Sequence, residues 1–177
     1  MAQAILGYIA SRDYRLMRRV NGWRAPRWLQ LWMICATRGG DGWLWYIMAA
    51  IIAVFGGPDR WQAIGSAALA CASGIGVFLA LKRSFRRRRP SSFDAPHCWS
   101  TLLPPDQFSF PSGHTITAFA FALSAGYYYP DLLPGLMFCA ISIAISRIVL
   151  GMHFLSDVVA GAGIGATLAC GSLLLLS

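Results

Sequence analysis

The sequence predicts an all-α protein, a polytopic transmembrane helix bundle, and three observations carry that expectation. Hydrophobic residues make up 56% of the 177-residue chain against 12% charged residues, and the mean hydropathy is positive. That balance is too apolar for a water-soluble domain of this size. The apolar residues gather into separate runs bounded by Gly, Pro and charged residues, as successive membrane spans do. The charge is one-sided, 15 Lys and Arg against 7 Asp and Glu for a net +8, and it lies between the runs. Its partners are therefore anionic lipid headgroups or phosphorylated molecules, and not nucleic acid, for which a hydrophilic basic domain is missing.

The first segment, residues 1–38, reads as interfacial and amphipathic. From Ile5 to Leu31 the residues Ile5, Tyr8, Ile9, Leu16, Met17, Val20, Trp23 and Trp28 alternate with Arg12, Arg15, Arg18, Arg19, Arg24 and Arg27, and Pro26 breaks the run. Left in water, those Trp, Leu and Ile residues would be exposed, so a helix or two lying on the membrane is the better reading. Met1 to Ala10 has no basic start, and Arg12 interrupts the run early, so no cleavable signal peptide is expected.

After the turn Gly39-Gly40-Asp41-Gly42 come five candidate spans: Trp43 to Gly56, Trp61 to Leu81, Thr115 to Tyr129, Leu132 to Ser146 and Val158 to Leu176. The second and last have the length a bilayer core demands, and the others need flanking residues or local thinning. Trp43, Trp45, Trp61 and Tyr127 to Tyr129 fall at segment ends, as aromatic belts do. With no internal repeat and no linker, residues 1–177 form a single domain, of which 39–177 is the helical core. The one long polar connection, Lys82 to Gly113, contains Pro90, Pro104, Pro105 and Pro111, which oppose a helix. Alternating the spans places this connection, the segment Gly151 to Ser156 and the basic N-terminal region on one membrane face. The five cysteines lack zinc spacing, and three sit inside apolar runs as small hydrophobes.

The candidate site lies on that shared face. Phe110-Pro111-Ser112-Gly113-His114 is a polar turn opening a helix, where N–H groups and the helix dipole welcome an anion. Lys82, Arg89 and Arg147 bring cations from two other segments, which suits a tetrahedral phosphoryl group. His114 and His153 lie at two edges, and Asp157, four residues after His153, can hold one imidazole nitrogen as N–H and leave the other as a nucleophile. Each piece has an ordinary explanation taken alone: a Pro-Ser-Gly turn is common, and Arg86, Arg87 and Arg88 read best as a membrane-surface patch. Their joint occurrence on one face is what makes a site for chemistry.

Lys82 with Arg89-Pro90, then Pro111-Ser112-Gly113-His114, then Ser146-Arg147 with His153 and Asp157, resembles the three-part signature of the type 2 phosphatidic acid phosphatase superfamily, from about Gly39 to the C-terminus. The resemblance implies a metal-independent, cofactor-free membrane phosphatase acting on phosphorylated lipids through a phosphohistidine. It makes His153 the nucleophile, Asp157 its orienter, His114 the general acid, and Lys82, Arg89, Ser112, Gly113 and Arg147 the phosphate binders. Six spans are common in that family where five are counted here, and the Arg-rich N-terminal segment stands where a full span is usual.

A transporter with a basic vestibule would need ionisable residues at mid-membrane depth, which the spans lack. A catalytically silent lipid-binding protein would lose one of His114, His153 and Asp157, and none is lost. Substrates implied by the family are undecaprenyl diphosphate, phosphatidylglycerophosphate, phosphatidic acid and the lipid A phosphate, in a bacterial inner membrane. Lateral entry is expected, past Trp23, Trp28 and Trp32, with Arg86 to Arg88 drawing headgroups in. Sidedness sets two arguments against each other. Only Arg60 among the Lys and Arg residues falls opposite the site, which by the positive-inside rule puts the site in the cytoplasm. Phosphate binding accounts for Lys82, Arg89 and Arg147, however, and the family resemblance implies the extracytoplasmic face, which is the assignment made. A C-terminal reporter should then be cytoplasmic, and an extracytoplasmic signal would reverse the assignment.

Overall fold

The computed structural model describes residues 2–23, 25–90 and 108–176. Pro104, Pro105, His97 and Cys98 of the long connection lie outside the described residues. Among the described residues seven α-helices follow one another: α1 (Ala2–Gly22), α2 (Arg27–Gly39), α3 (Trp43–Phe55), α4 (Arg60–Phe85), α5 (Gly113–Tyr128), α6 (Leu133–Val149) and α7 (Leu155–Leu176). Pro26 separates α1 from α2, and α3 to α7 stand where five spans were expected. Among the described residues three stretches are long and apolar enough to cross a membrane: Gly57–Phe85, Pro130–Val149 and Leu155–Leu176. The apolar α3 is shorter.

The helices outrun the apolar runs that announced them. α4 continues to Phe85 and carries Lys82 on its last turn, and α6 continues through Arg147 to Val149. Cations are favoured at a helix C-terminus, and their long stems reach out from apolar surroundings, so a charge need not end a span. Arg86 ends α4 in the left-handed region at φ 45°, the usual conformation just past a helix end but one rarely taken by a side-chain-bearing residue.

α5 is the central helix, packed against α4, α6 and α7. Its buried face is built of small residues, among them Ala118, Ala122, Ser124, Ala125 and Gly126. α7 answers with Gly161, Gly165, Ala169 and Ser172, and α4 with Ala63, Ala67, Ala70 and Gly74. In lipid there is no hydrophobic drive between helices, so association depends on close van der Waals contact, which small residues at these spacings permit. The large apolar side chains face outward instead, such as Ile75, Leu79, Phe138, Ile141, Ile145, Val159 and Leu174. α1 packs through Asp13 and Met17, both buried, and contacts α6 and α7.

Gly165 shows how tight the α5–α7 seam is. A Cβ there would lie 2.5 Å from the Ile116 carbonyl oxygen and 3.1 Å from the Ala120 nitrogen, both backbone atoms that cannot swing aside. Gly165→Ala should therefore lower stability by about 1–3 kcal/mol through overpacking, read as a drop in the thermal midpoint in detergent. Gly163→Ala, with nothing within 4 Å of its added Cβ, is the matched control and should leave the midpoint unchanged or slightly raised. Equal midpoints for the two variants would contradict the seam.

Candidate active site

The long connection is closed at its base. Arg88 and Phe108 form an antiparallel bridge, the Ser109 N–H donates to the Arg87 carbonyl at 2.7 Å, and the Ser109 hydroxyl donates to the Arg88 carbonyl at 3.3 Å. This sets the Ser109 carbonyl beside His153. The chain then passes through a cis Phe110–Pro111 peptide to Ser112, whose N–H donates to the Asp157 carbonyl at 3.1 Å. Gly161 permits that approach, since a Cβ there would sit 2.9 Å from the Ser112 carbonyl oxygen. The Thr115 hydroxyl donates to the Ser112 Oγ at 2.9 Å, and both side chains are fully buried.

Around this seam the expected residues converge. His153 Nδ1 donates to the Ser109 carbonyl at 2.6 Å, which assigns the proton to Nδ1 and leaves Nε2 with its lone pair. Arg89 Nη1 lies 3.5 Å from that Nε2 and donates to the Met152 carbonyl at 3.0 Å. Arg147, 5% exposed, donates from Nη1 to the Thr37 hydroxyl of α2. Its buried Nε has no hydrogen-bond partner among the described residues, a donor suited to an incoming anion. His114 Nε2 is 2.7 Å from Asp41 Oδ1 in the α2–α3 turn. Gly40 makes room for it, since a Cβ there would meet His114 Cδ2 at 2.9 Å.

A cavity of about 640 Å³ joins these groups. Its polar end is formed by Asp41, Arg89, Gly113, His114, Arg147 and His153, and its remaining wall by apolar residues of α3, α4 and α5, among them Trp45, Ala49, Ile64, Ala68, Ile75 and Phe121. Ser112 and Lys82 are not among the residues that line it: Ser112 is fully buried, and Lys82 has its Nζ 4.6 Å from the ring centroid of Phe78, which does line the cavity.

Three sequence expectations change. Asp157 was expected to hold an imidazole nitrogen, but its Oδ2 stands 3.8 Å from His153 Nδ1, too far for a hydrogen bond. That oxygen accepts the Phe154 N–H at 2.9 Å as the back half of a capping box at the start of α7, while Oδ1 accepts from Arg87 Nη1 at 2.8 Å. Asp157 thus faces the imidazole as a charge 3.8 Å away, and the Ser109 carbonyl accepts the Nδ1–H hydrogen bond. Arg87, expected in a surface patch with Arg86 and Arg88, instead turns inward to Asp157 and Asp13, 2.8 Å from each, with its guanidinium 4.2 Å from the Phe154 ring centroid. Trp23, Trp28 and Trp32, expected at the entrance, are exposed and are not among the residues lining the cavity, whose apolar wall belongs to α3, α4 and α5.

The sequence reading missed Asp13, Thr37, Asp41, Arg87 and Ser109. A carbonyl such as that of Ser109 has no sequence signal. Asp13 and Asp41 had one: with 7 acidic residues in the whole chain, a carboxylate in an arginine-rich helix or before an apolar span is conspicuous.

Burial pushes the His153 imidazole down from 6.5 to about 4, with Arg147 and Arg89 acting the same way and Asp157 against them. The ring is therefore neutral at pH 7, as a nucleophile must be.

Fold and site together define a class: a helical membrane protein with a cationic, histidine-bearing anion pocket at one end. The model of the PAP2 superfamily matches residues 63–177, and the chain belongs to that superfamily. Decaprenylphosphoryl-5-phosphoribose phosphatase of Mycobacterium tuberculosis is 36% identical over 142 residues, 76% of each chain. The crystal structure of Aquifex aeolicus LpxE superposes with a TM-score of 0.76 at 27% identity, covering 90% of this chain and 93% of that one. A transmembrane PAP2-type phosphatidylglycerolphosphate phosphatase from Bacillus subtilis gives a TM-score of 0.72 over 95% of this chain and 86% of that one, at 22% identity, which bears on the fold alone. The chain is a membrane-embedded phosphatase.

Because the unfolded chain takes up the His153 proton near 6.5 and the folded chain near 4, stability should fall as pH drops through that window. An NMR titration of His153 in detergent should show the neutral Nδ1–H tautomer from pH 8 down to about 4, and a midpoint near 6.5 would contradict the burial argument.

Proposed function

We propose that the protein removes phosphate from a membrane lipid by way of a phosphohistidine on His153. The observation that carries this is the tautomer: Nδ1–H is spent on the Ser109 carbonyl, so Nε2 keeps its lone pair on the side of the cavity cations, with Arg89 Nη1 3.5 Å away. Nε2 forms a bond to phosphorus and the P–O bond to the lipid breaks, with His114 giving its proton to the departing oxygen. Water then attacks the phosphohistidine, His114 takes back a proton, and phosphate is released with Nε2 restored. Arg89, Arg147 and the Gly113 N–H hold the non-bridging oxygens as charge builds on them. Lys82, beside Phe78 of the cavity wall, attracts the phosphate by its charge, and Ser112 supports the turn. Asp157 supports the imidazolium character of the attacking ring, and Asp41 keeps His114 in place. No step calls for a metal.

The apolar wall along α3 and α4 suits the first part of a lipid tail, so the substrate enters sideways from the bilayer and keeps its tail in apolar surroundings. The relative acting on decaprenylphosphoryl-5-phosphoribose puts a polyprenyl-linked sugar phosphate at the head of the substrate panel. Undecaprenyl diphosphate, phosphatidylglycerophosphate, phosphatidic acid and the lipid A phosphate follow. Five spans, α1 and α2 at the interface, and a site on the extracytoplasmic face of a bacterial inner membrane complete the reading.

The two histidines should fail differently. His153→Ala should abolish turnover of every substrate and leave no covalent intermediate. His114→Ala should cost about 10²–10⁴-fold with a poor leaving group and far less with p-nitrophenyl phosphate, whose leaving oxygen needs little protonation. Asp157→Asn should fall between. The check is kcat on both substrates, with and without EDTA. Loss of activity in EDTA, or turnover of p-nitrophenyl phosphate by His153→Ala near the wild-type rate, would refute the mechanism.

A further inference from the structure

We propose that Arg87 and Asp13 are positioning residues for the reaction, so that helix α1, outside the family signature, is part of the catalytic apparatus. The proposal rests on the assignment of His153 and Asp157 above. The Asp157 side chain is fully buried and its carboxylate is clamped from both ends: the Phe154 N–H holds Oδ2 at 2.9 Å and Arg87 Nη1 holds Oδ1 at 2.8 Å. With both oxygens held, the carboxylate plane is fixed, and Oδ2 is kept 3.8 Å from His153 Nδ1. A carboxylate acting by charge rather than by hydrogen bond has no directional contact of its own with the imidazole, so its distance depends on the other partners.

Arg87 is itself held from α1. Its Nη2 donates to Asp13 Oδ2 at 2.8 Å, while Nη1 also donates to the Ser156 hydroxyl at 2.7 Å. Asp13, 5% exposed, accepts the Ser156 N–H on Oδ1 at 3.1 Å and the Ser156 hydroxyl on Oδ2. A carboxylate from another helix thus satisfies a first-turn N–H of α7, a group that has no partner within its own helix. The chain of contacts runs from Asp13 to Arg87 to Asp157, and two of the chain's few carboxylates share one guanidinium. Such a fork needs the planar, two-nitrogen geometry that Lys lacks.

The test uses the full chain in detergent with p-nitrophenyl phosphate, measuring kcat, KM, the inhibition constant of inorganic phosphate and the thermal midpoint. Arg87→Ala should lower kcat on the order of 10- to 100-fold, with the inhibition constant of inorganic phosphate unchanged because the anion binders are intact. Added guanidinium should restore part of that rate, and Arg87→Lys should restore less than the native Arg. Asp13→Asn, which keeps the side-chain volume, should lower kcat by about 10-fold. The double variant Asp13→Asn with Arg87→Ala should be no slower than Arg87→Ala alone, since both act through one carboxylate. Wild-type kcat in Asp13→Asn or Arg87→Ala would overturn the proposal, as would additive losses in the double variant. A kcat loss that guanidinium leaves untouched while the thermal midpoint falls would also overturn it, reducing the pair to a fold contact. His153→Ala and Asp157→Asn run alongside: if His153→Ala turns over near the wild-type rate the mechanism itself fails, whereas if His153→Ala is inactive, Asp157→Asn is slowed and Arg87→Ala is not, only this inference fails.

Discussion

Everything at the site depends on how closely α5 and α7 can approach. Gly161 and Gly165 bring the α7 backbone against that of α5, with the Ser112 carbonyl and the Ile116 carbonyl lying where side chains would otherwise stand. The result is a direct backbone bond from the Ser112 N–H to the Asp157 carbonyl. That bond ties the anion-binding turn at the start of α5 to the first turn of α7, and His153 sits immediately before it. A Cβ at either glycine would move Gly113 and His114 away from His153. The seam is therefore both the packing device of a bundle in lipid and the device that sets the distance across the site.

Electrostatics then follows from scarcity. In a chain of net charge +8, three of the described carboxylates, Asp13, Asp41 and Asp157, are gathered around the site, and Asp59 and Asp131 lie in the turns at the far end of the bundle. Each of the three is matched to a group that needs holding. Asp41 takes His114, Asp157 stands by His153, and Asp13 holds the Arg87 that in turn holds Asp157. Arg89 and Arg147 face the cavity with no carboxylate bonded to Arg147, whose Nε stays unbonded among the described residues. Positive charge thus faces the cavity at Arg147, while Asp13 and Asp157 offset that of Arg87 inside the fold.

The cavity combines two environments. Cations, imidazoles and a helix N-terminus form one end, and the apolar faces of α3, α4 and α5 form the rest. A lipid phosphate has the same division, and the junction between the two environments is where its ester bond would lie. Small residues of α4, such as Ala67, Ala68 and Gly74, leave the space. The same small residues that allow helices to meet on one face of α4 leave room for a tail on the next.

The sequence by itself determined the helical class, the five apolar runs and the eight signature residues, because apolar run length and residue spacing are local properties that survive without a fold. Alternation of the apolar runs led to the expectation that these residues meet on one face, and the structure brings Arg89, Gly113, His114, Arg147 and His153 to one cavity. Tertiary structure alone decided which atom holds which. Asp157 spends its oxygens on the Phe154 N–H and Arg87, and the Ser109 carbonyl accepts the His153 Nδ1–H hydrogen bond, because a backbone carbonyl across the bundle competes with a side chain four residues away and has no signature. Arg87 looked like one of a run of surface arginines, and only the left-handed turn at Arg86 and the carboxylate of Asp13 on α1 show that it points inward. Contacts between residues far apart in the chain depend on where helices pack, and packing is set by small residues whose spacing says that helices touch but not which ones.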